Sequence, residues 1–306
     1  MSNSKRRFRV TQVDVFTAVP LEGNQLAVFT DARGLKDEEM QLLAREMNFS
    51  ESTFVIPRDA ATERERGVRV RIFTVNEELP FAGHPTLGTA MALRNNLVHN
   101  EKARSDNGPE EIALDLNVGK ISVRFSTRDS LPFGVMTQRD PEFGRTHDRE
   151  AVARAAGLAV TDIADDVPIQ TVSTGNAFAM VPVKSLAVLQ NLAPAWAPMG
   201  NYLTKSDAKF FYFVSREASN PEARLQARMI FYNGEDPATG SAAGPCAAWA
   251  VAHGLIAPDQ QALLEQGVEM KRRSRIFISA GRAVGKIVNV RVGGHAVEVL
   301  HGEILL

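Results

Sequence analysis

Two short signatures each occur twice in this chain, about half its length apart, and that duplication restricts the fold more than any other feature. Gly23-Asn24-Gln25-Leu26-Ala27-Val28 returns as Gly175-Asn176-Ala177-Phe178-Ala179-Met180: Gly-Asn, any residue, then apolar-Ala-apolar. Arg71, Asn76, Glu78, Pro80, Gly83 and Ala90 return at one common spacing as Arg228, Asn233, Glu235, Pro237, Gly240 and Ala247. Self-similarity at a fixed long period marks a repeated folding unit. The 306 residues, 44% of them hydrophobic, suffice for two cores of ordinary domain size. Apolar alternation predicts strands over Phe8–Phe16, Val68–Phe73, Ile112–Leu116, Ile121–Phe125, Phe210–Val214, Leu225–Phe231, Ile276–Ile278 and Val288–Val292. Helical signals are fewer: Asp37–Met47, the stretch after Pro85 through Leu93, His147–Ala156 and the Ala-rich Ala242–His253. The expected class is α+β, each unit a curved, mostly antiparallel sheet wrapped around one well-marked helix.

The polar stretch Arg128–Arg145 holds Pro132, Gly134, Pro141 and Gly144 and reads as the connection between the halves. The expected domains are residues 1–130 and 131–294, with a C-terminal strand over 295–306 assigned to the first. A second polar run, Ala103–Glu110, reads as an exposed hairpin or loop and a poor place for chemistry.

Composition removes several functions. With 35 basic against 36 acidic residues there is no cationic excess for nucleic acid or an anionic membrane, so a small-molecule partner is expected. The one cysteine, Cys246, allows no intramolecular disulfide, no Cys-based zinc site and no two-thiol catalytic pair. A reducing, cytoplasmic setting fits that usage. Lys5-Arg6-Arg7 is followed by the alternating Phe8-Arg9-Val10-Thr11-Gln12-Val13-Asp14 instead of a signal-peptide core, and no segment has transmembrane length.

Each copy of the second signature is a strand–turn–helix unit. Pro85 suits a first helical turn, Ser241 is a favoured N-cap, and the small residues beyond each turn leave amides open to an anion. If the halves face each other about a pseudo-twofold axis, both helix starts converge on one cleft able to grip a substrate carboxylate. The alternative is that each turn simply caps its helix. Differences between the copies are more telling than identities: Leu79 corresponds to Asp236, and His84 to Ser241. One half carries an imidazole and the other a carboxylate, a plausible proton-transfer set. Glu51, in Asn48-Phe49-Ser50-Glu51-Ser52-Thr53-Phe54-Val55, lies at the entrance to an apolar strand, where a carboxylate can point into a cleft; read alone such a residue is usually an ordinary surface glutamate.

With these motifs in place, the chain resembles the PhzF-like (phenazine-biosynthesis) family, related in fold to diaminopimelate epimerases and proline racemases. The resemblance rests on Val13-Asp14-Val15-Phe16-Thr17 with Gly23-Asn24, on Asn48–Val55, on Phe81-Ala82-Gly83-His84-Pro85-Thr86-Leu87-Gly88, on Ser173-Thr174-Gly175, and on Gly234–Ala242. It implies two pseudo-symmetric epimerase-like domains, each a barrel-like sheet around a central helix, a homodimer, an active site between the domains, and neither metal nor organic cofactor. It further implies Glu51 as the proton shuttle, His84 and Asp236 as its catalytic assistants, and Ser50, Gly83, Gly240, Ser241 and Asn24 as binding positions for a small carboxylated metabolite. Gln25 departs from the proline usual after Gly-Asn. The related epimerases and racemases place a cysteine in each turn; here those regions hold His84 and Asp236 with Ser241, and Cys246 reads as a small buried apolar residue. The activity implied is a cofactor-free acid/base isomerase. The alternatives are a non-catalytic metabolite-binding member, or a cofactor-free epimerase of an amino or hydroxy acid.

Overall fold

The computed structural model describes residues 5–100, 108–231 and 234–306, and for 98–100 the backbone only. Asn233 of the second signature and positions 103–107 of the polar run lie outside the described residues. The chain divides into two compact units, residues 1–136 with 293–306, and residues 137–292.

The first unit is built from β1 (Arg7–Val15), β2 (Asn24–Phe29), α1 (Asp37–Met47), β3 (Glu51–Ile56), α2 (Ala60–Arg66), β4 (Val68–Phe73), β5 (Glu78–Leu79), α3 (Gly83–Asn100), β6 (Glu111–Leu116), β7 (Gly119–Arg128) and β8 (Leu131–Thr137). The second comprises β9 (Glu142–Thr146), α4 (Arg149–Ala156), β10 (Gln170–Ser173), β11 (Ala177–Val183), α5 (Leu186–Asn191), α6 (Trp196–Leu203), β12 (Phe210–Ser215), β13 (Leu225–Phe231), β14 (Gly234–Asp236), α7 (Gly240–Ala252), β15 (Ala262–Gln266), β16 (Ser274–Ala283) and β17 (Lys286–Gly294). The last strand, β18 (Ala296–Leu305), returns to pair along the whole of β1.

The two sheets repeat one another step for step. In the first, β1 lies antiparallel between β18 and β2, β2 is parallel to β3, and β3 is antiparallel to β4. The far edge of β4 is shared by the short antiparallel β5 and the parallel β6, which leads antiparallel into β7. In the second, β10 lies antiparallel between β9 and β11, β11 is parallel to β12, and β12 is antiparallel to β13. The edge of β13 is shared by antiparallel β14 and parallel β15, which leads antiparallel into β16. The duplication legible in a few residues is thus a duplication of the whole hydrogen-bonding scheme.

Each parallel pair needs a crossover. The β2–β3 crossover, α1, packs Met40, Leu43 and Ala44 on the outer face of its sheet against Phe29, Phe54 and Phe73. The β4–β6 crossover, α3, touches β1, β2 and β3 as well as β6, β7 and β18, so the sheet curls around it. Every residue from Ala82 to Ala92 is accordingly buried, and α7 is buried from Gly240 to Val251. A helix that must be apolar or small on every side is an enclosed one. Small residues also let strands approach it closely: a Cβ on Gly88 would stand 2.6 Å from Val15 Cγ2 and 2.7 Å from Leu26 Cδ2.

The segment Arg128–Arg145, read as the connection between the halves, forms β8 and β9. Its glycines answer to packing and not to turns. A Cβ on Gly134 would lie 2.6 Å from Leu87 Cδ1 on α3, and one on Gly144 would lie 2.4 Å from Asp207 Oδ2. Among the described residues no helix is long and apolar enough to cross a membrane.

Candidate active site

In the first unit Asn24, Glu51 and His84 are brought together. β2 and β3 are parallel neighbours with Leu26 opposite Glu51, so Asn24 and Glu51 both lie where their strands begin. Glu51 reaches that place because α1 ends on Asn48 in the left-handed conformation (φ 53°), which turns the chain straight into β3. Alternation along β3 then puts Glu51 and Thr53 on one face. Thr89 Oγ1 of α3 donates to Thr53 Oγ1 at 2.8 Å in a buried contact that sets the register of helix against strand. Gly83 opens α3 and His84 follows it, 3% exposed. Its Nε2 stands 3.5 Å from Glu51 Oε2, and its Nδ1 3.1 Å from the amide nitrogen of Asn24. Ser50, immediately before β3, is exposed.

Burial pushes the His84 imidazole down to about 3, against a smaller opposing pull from the Gln25 carbonyl. The contact with Glu51 is therefore that of a carboxyl group with a neutral ring, not an ion pair. A consequence for folding follows. The unfolded histidine takes up a proton near pH 6.5 and the folded one only near pH 3, so this contribution to stability is complete above pH 6.5 and drains away as pH falls toward 3. Between pH 7 and 5 it amounts to about 2 kcal/mol. Urea titrations of the wild type and His84→Gln at both pH values should differ in their pH dependence by that much; equal slopes would contradict a neutral, enclosed ring.

In the second unit Asp236 ends β14, 8% exposed, and α7 begins at Gly240, followed by Ser241. Ser241 was expected as the N-cap; the cap position is instead Thr239, whose hydroxyl does not cap the helix but donates to Asp236 Oδ2. That hydroxyl in turn accepts from Gln266 Nε2 at 2.9 Å, and the same nitrogen donates to the Asp236 carbonyl at 2.7 Å. Gln266 Oε1 accepts from the Thr239 amide at 3.2 Å and from the Tyr212 hydroxyl at 2.9 Å. Tyr212, fully enclosed, is held in its protonated form because burial raises its pKa. A closed network of this kind fixes the turn and the aim of Asp236. On the other side of the helix start, Gln138 Nε2 donates to the Gly240 carbonyl at 2.8 Å while Thr174 Oγ1 donates to Gln138 Oε1 at 2.6 Å. Gly244 leaves the space, since a Cβ there would come within 1.9 Å of Gln138 Oε1. The amides of Ala242 and Ala243 close onto the Thr239 carbonyl at 3.0 and 2.9 Å, which leaves those of Gly240 and Ser241 as the helix-start donors that suit an anion.

Sequence reasoning missed Tyr212, Gln266, Gln138, Thr53 and Thr89. For Tyr212, Thr53 and Thr89 the signal was a polar group inside an otherwise apolar strand or helix, whereas Gln266 ends β15 and Gln138 lies just beyond β8.

The repeated Arg and Glu serve the fold. Arg71 makes a paired bond to Glu78 (Nε 2.8 Å, Nη2 2.6 Å), and Arg228 one to Glu235 (2.8 and 2.7 Å), each pinning the hairpin that leads into its helix. Cys246 is fully buried in α7, its thiol pushed up by burial to about 12 and unreactive at neutral pH. The register also exposes an asymmetry. Leu26 pairs with Glu51 in the first sheet, whereas its repeat partner Phe178 pairs with Phe210 in the second, so an aromatic ring stands where the other unit carries the carboxylate.

This fold and these residues define an isomerase built on the duplicated epimerase-type scaffold. The chain belongs to the PhzC-PhzF family of phenazine biosynthesis-like proteins, whose family model matches residues 13–302. It is 35% identical to an uncharacterised isomerase of Mesorhizobium japonicum, over 96% of this chain and 97% of that protein. It is 34% identical to the trans-2,3-dihydro-3-hydroxyanthranilate isomerase of Pseudomonas fluorescens, over 96% and 98%. The crystal structure of a Bacillus anthracis phenazine biosynthesis protein of the PhzF family superposes with a TM-score of 0.86 at 27% identity, covering 98% of this chain and all of the other. A probable proline racemase from Agrobacterium radiobacter, at 10% identity and a TM-score of 0.66, shares the fold.

Proposed function

We propose that this chain is a cofactor-independent acid/base isomerase that moves a proton, and with it a double bond, along a small carboxylated substrate. The observation that carries the reading is the enclosed contact of Glu51 Oε2 with His84 Nε2 at 3.5 Å. A carboxylate beside a neutral imidazole keeps its basicity, where a cationic partner would quench it. Glu51 takes a proton from one carbon of a conjugated acid, and the electron pair of the broken C–H bond moves into the π system toward the substrate's own carboxyl group. The same side chain then returns the proton to a carbon further along, so that bonds are exchanged without any redox change. His84 steadies the carboxylate in both of its protonation states. Asp236, Gly240 and Ser241 are proposed to bind and orient the polar groups of the substrate in this reaction, a role supported by the rigid turn behind Asp236 and the amides opening α7.

The acid named for the Pseudomonas relative, trans-2,3-dihydro-3-hydroxyanthranilate, is the first substrate to offer. Incubated with it in deuterated water, the protein should yield a double-bond isomer, with deuterium only at the carbon that receives the proton. If neither this acid nor any of a panel of cyclic and acyclic unsaturated acids is isomerised or labelled, while direct titration detects binding, the chain is a metabolite-binding protein and the catalytic reading is lost.

A further inference from the structure

We propose that Asn24 is a positioning residue that sets the tautomer of His84, placing the ring proton on Nε2, where it faces Glu51. This deepens the reading of Glu51 as the proton carrier and rests on it. Asn24 is 1% exposed and opens β2, its backbone paired with Val15. It is held there by the turn at Gly23 (φ +68°), where a Cβ would stand 2.4 Å from the Val15 carbonyl oxygen, so the preceding loop has no freedom to slide. From that fixed point its amide nitrogen lies 3.1 Å from His84 Nδ1. An amide N–H is a donor only, so the ring nitrogen it meets must be the bare acceptor, and the single proton of the neutral ring goes to the other nitrogen.

That other nitrogen, Nε2, is buried and makes no hydrogen bond among the described residues; the carboxyl oxygen of Glu51 is the charged group before it, at 3.5 Å. With its proton on Nε2 the ring is a donor aimed at the carboxylate. With its proton on Nδ1 it would turn a lone pair toward that carboxylate, and the two would repel. The Asn24 amide at Nδ1 and the Glu51 carboxylate at Nε2 therefore favour the same tautomer, with the proton on Nε2. Sequence reasoning gave Asn24 to substrate binding; its amide nitrogen is directed at the histidine.

The two tautomers differ in their ring ¹⁵N shifts, so long-range ¹H–¹⁵N spectra of protein labelled at histidine read the arrangement directly, with His84→Gln assigning the signal. The wild type should show a protonated Nε2 and an unprotonated Nδ1. In Asn24→Ala the donor to Nδ1 is gone and the Glu51 carboxylate alone favours Nε2, so part of the rings should become protonated on Nδ1. kcat should fall roughly tenfold to a hundredfold with KM within about twofold, as when other groups that orient a functional histidine are removed. Asn24→Gln, which retains an amide, should recover the Nε2 proton and part of kcat. A wild-type ring protonated on Nδ1 overturns the proposal whether or not any variant folds, and so does an unchanged tautomer in Asn24→Ala. Should the tautomers be as stated while no acid is turned over, the positioning stands and the catalytic reading falls.

Discussion

Replacing Glu51 by glutamine is expected to reduce turnover by about 10²- to 10⁴-fold, the range a positioned general acid/base supplies, while leaving the fold and substrate affinity nearly unchanged. Glutamine has the same length and shape and removes only the capacity to take up a proton. The side chain is 15% exposed and lies close to the neutral ring of His84. Glu51→Gln should therefore unfold at the same urea concentration as the wild type or a slightly higher one. Unaltered kinetics in a well-folded Glu51→Gln would remove the proposed base. A loss of stability that accounts for the lost activity would reassign Glu51 to the architecture.

The second large effect belongs to Arg228. Its guanidinium is 7% exposed, bonds to both oxygens of Glu235, and donates to the carbonyls of Leu189 and Leu192 at 2.9 and 2.8 Å. Arg228→Met strands Glu235, 13% exposed, and takes a donor from two carbonyls, of which that of Leu189 keeps the Leu192 amide. Removing one partner of a buried pair costs about 3–5 kcal/mol. Arg71, at the matching place in the first unit, is 15% exposed and its partner Glu78 24%, so Arg71→Met should cost distinctly less. The double variant Arg228→Met with Glu235→Leu should regain much of the loss, because a buried pair exchanged for apolar groups of similar volume is often neutral. Equilibrium unfolding of the single and double variants gives the coupling; a cost below about 1 kcal/mol for Arg228→Met, or no recovery in the double variant, would contradict the role assigned.

The parts of this molecule that could be read from sequence are those where geometry leaves few residue choices. An arginine that must meet a glutamate across a hairpin, a proline and glycine that open a central helix, and a Gly-Asn that starts a strand recur because the second unit repeats the same bonding scheme. Those recurrences carried the duplication, and with it the α+β class. Cys246 read correctly as a buried apolar residue because a small side chain in an Ala-rich helix has one obvious setting. Long-range partnerships did not show. Tyr212 and Gln266 meet across strands far apart in sequence, and nothing local marks either as the support of Asp236. The strand form of Arg128–Arg145 did not show, because glycine serves turns and close packing alike, and only coordinates reveal Leu87 pressing on Gly134. Residue preference favours Ser241 as the cap; the helix starts two residues earlier than that cap implies, after a threonine whose hydroxyl is engaged by the aspartate.

One feature of the register bears on stereochemistry. Phe210, packed on Phe178 with ring centroids 5.5 Å apart, occupies in the second sheet the place that Glu51 holds in the first. A benzyl side chain cannot accept hydrogen, so the second sheet has no counterpart of Glu51 at that position; with Asp236 given to binding, the reaction proposed here uses one carrier, which lifts an atom from one side of a planar molecule and sets it down again on that side. Migration is then suprafacial, and the product leaves as a single enantiomer, whereas enzymes that invert a centre need a second acceptor across from the first.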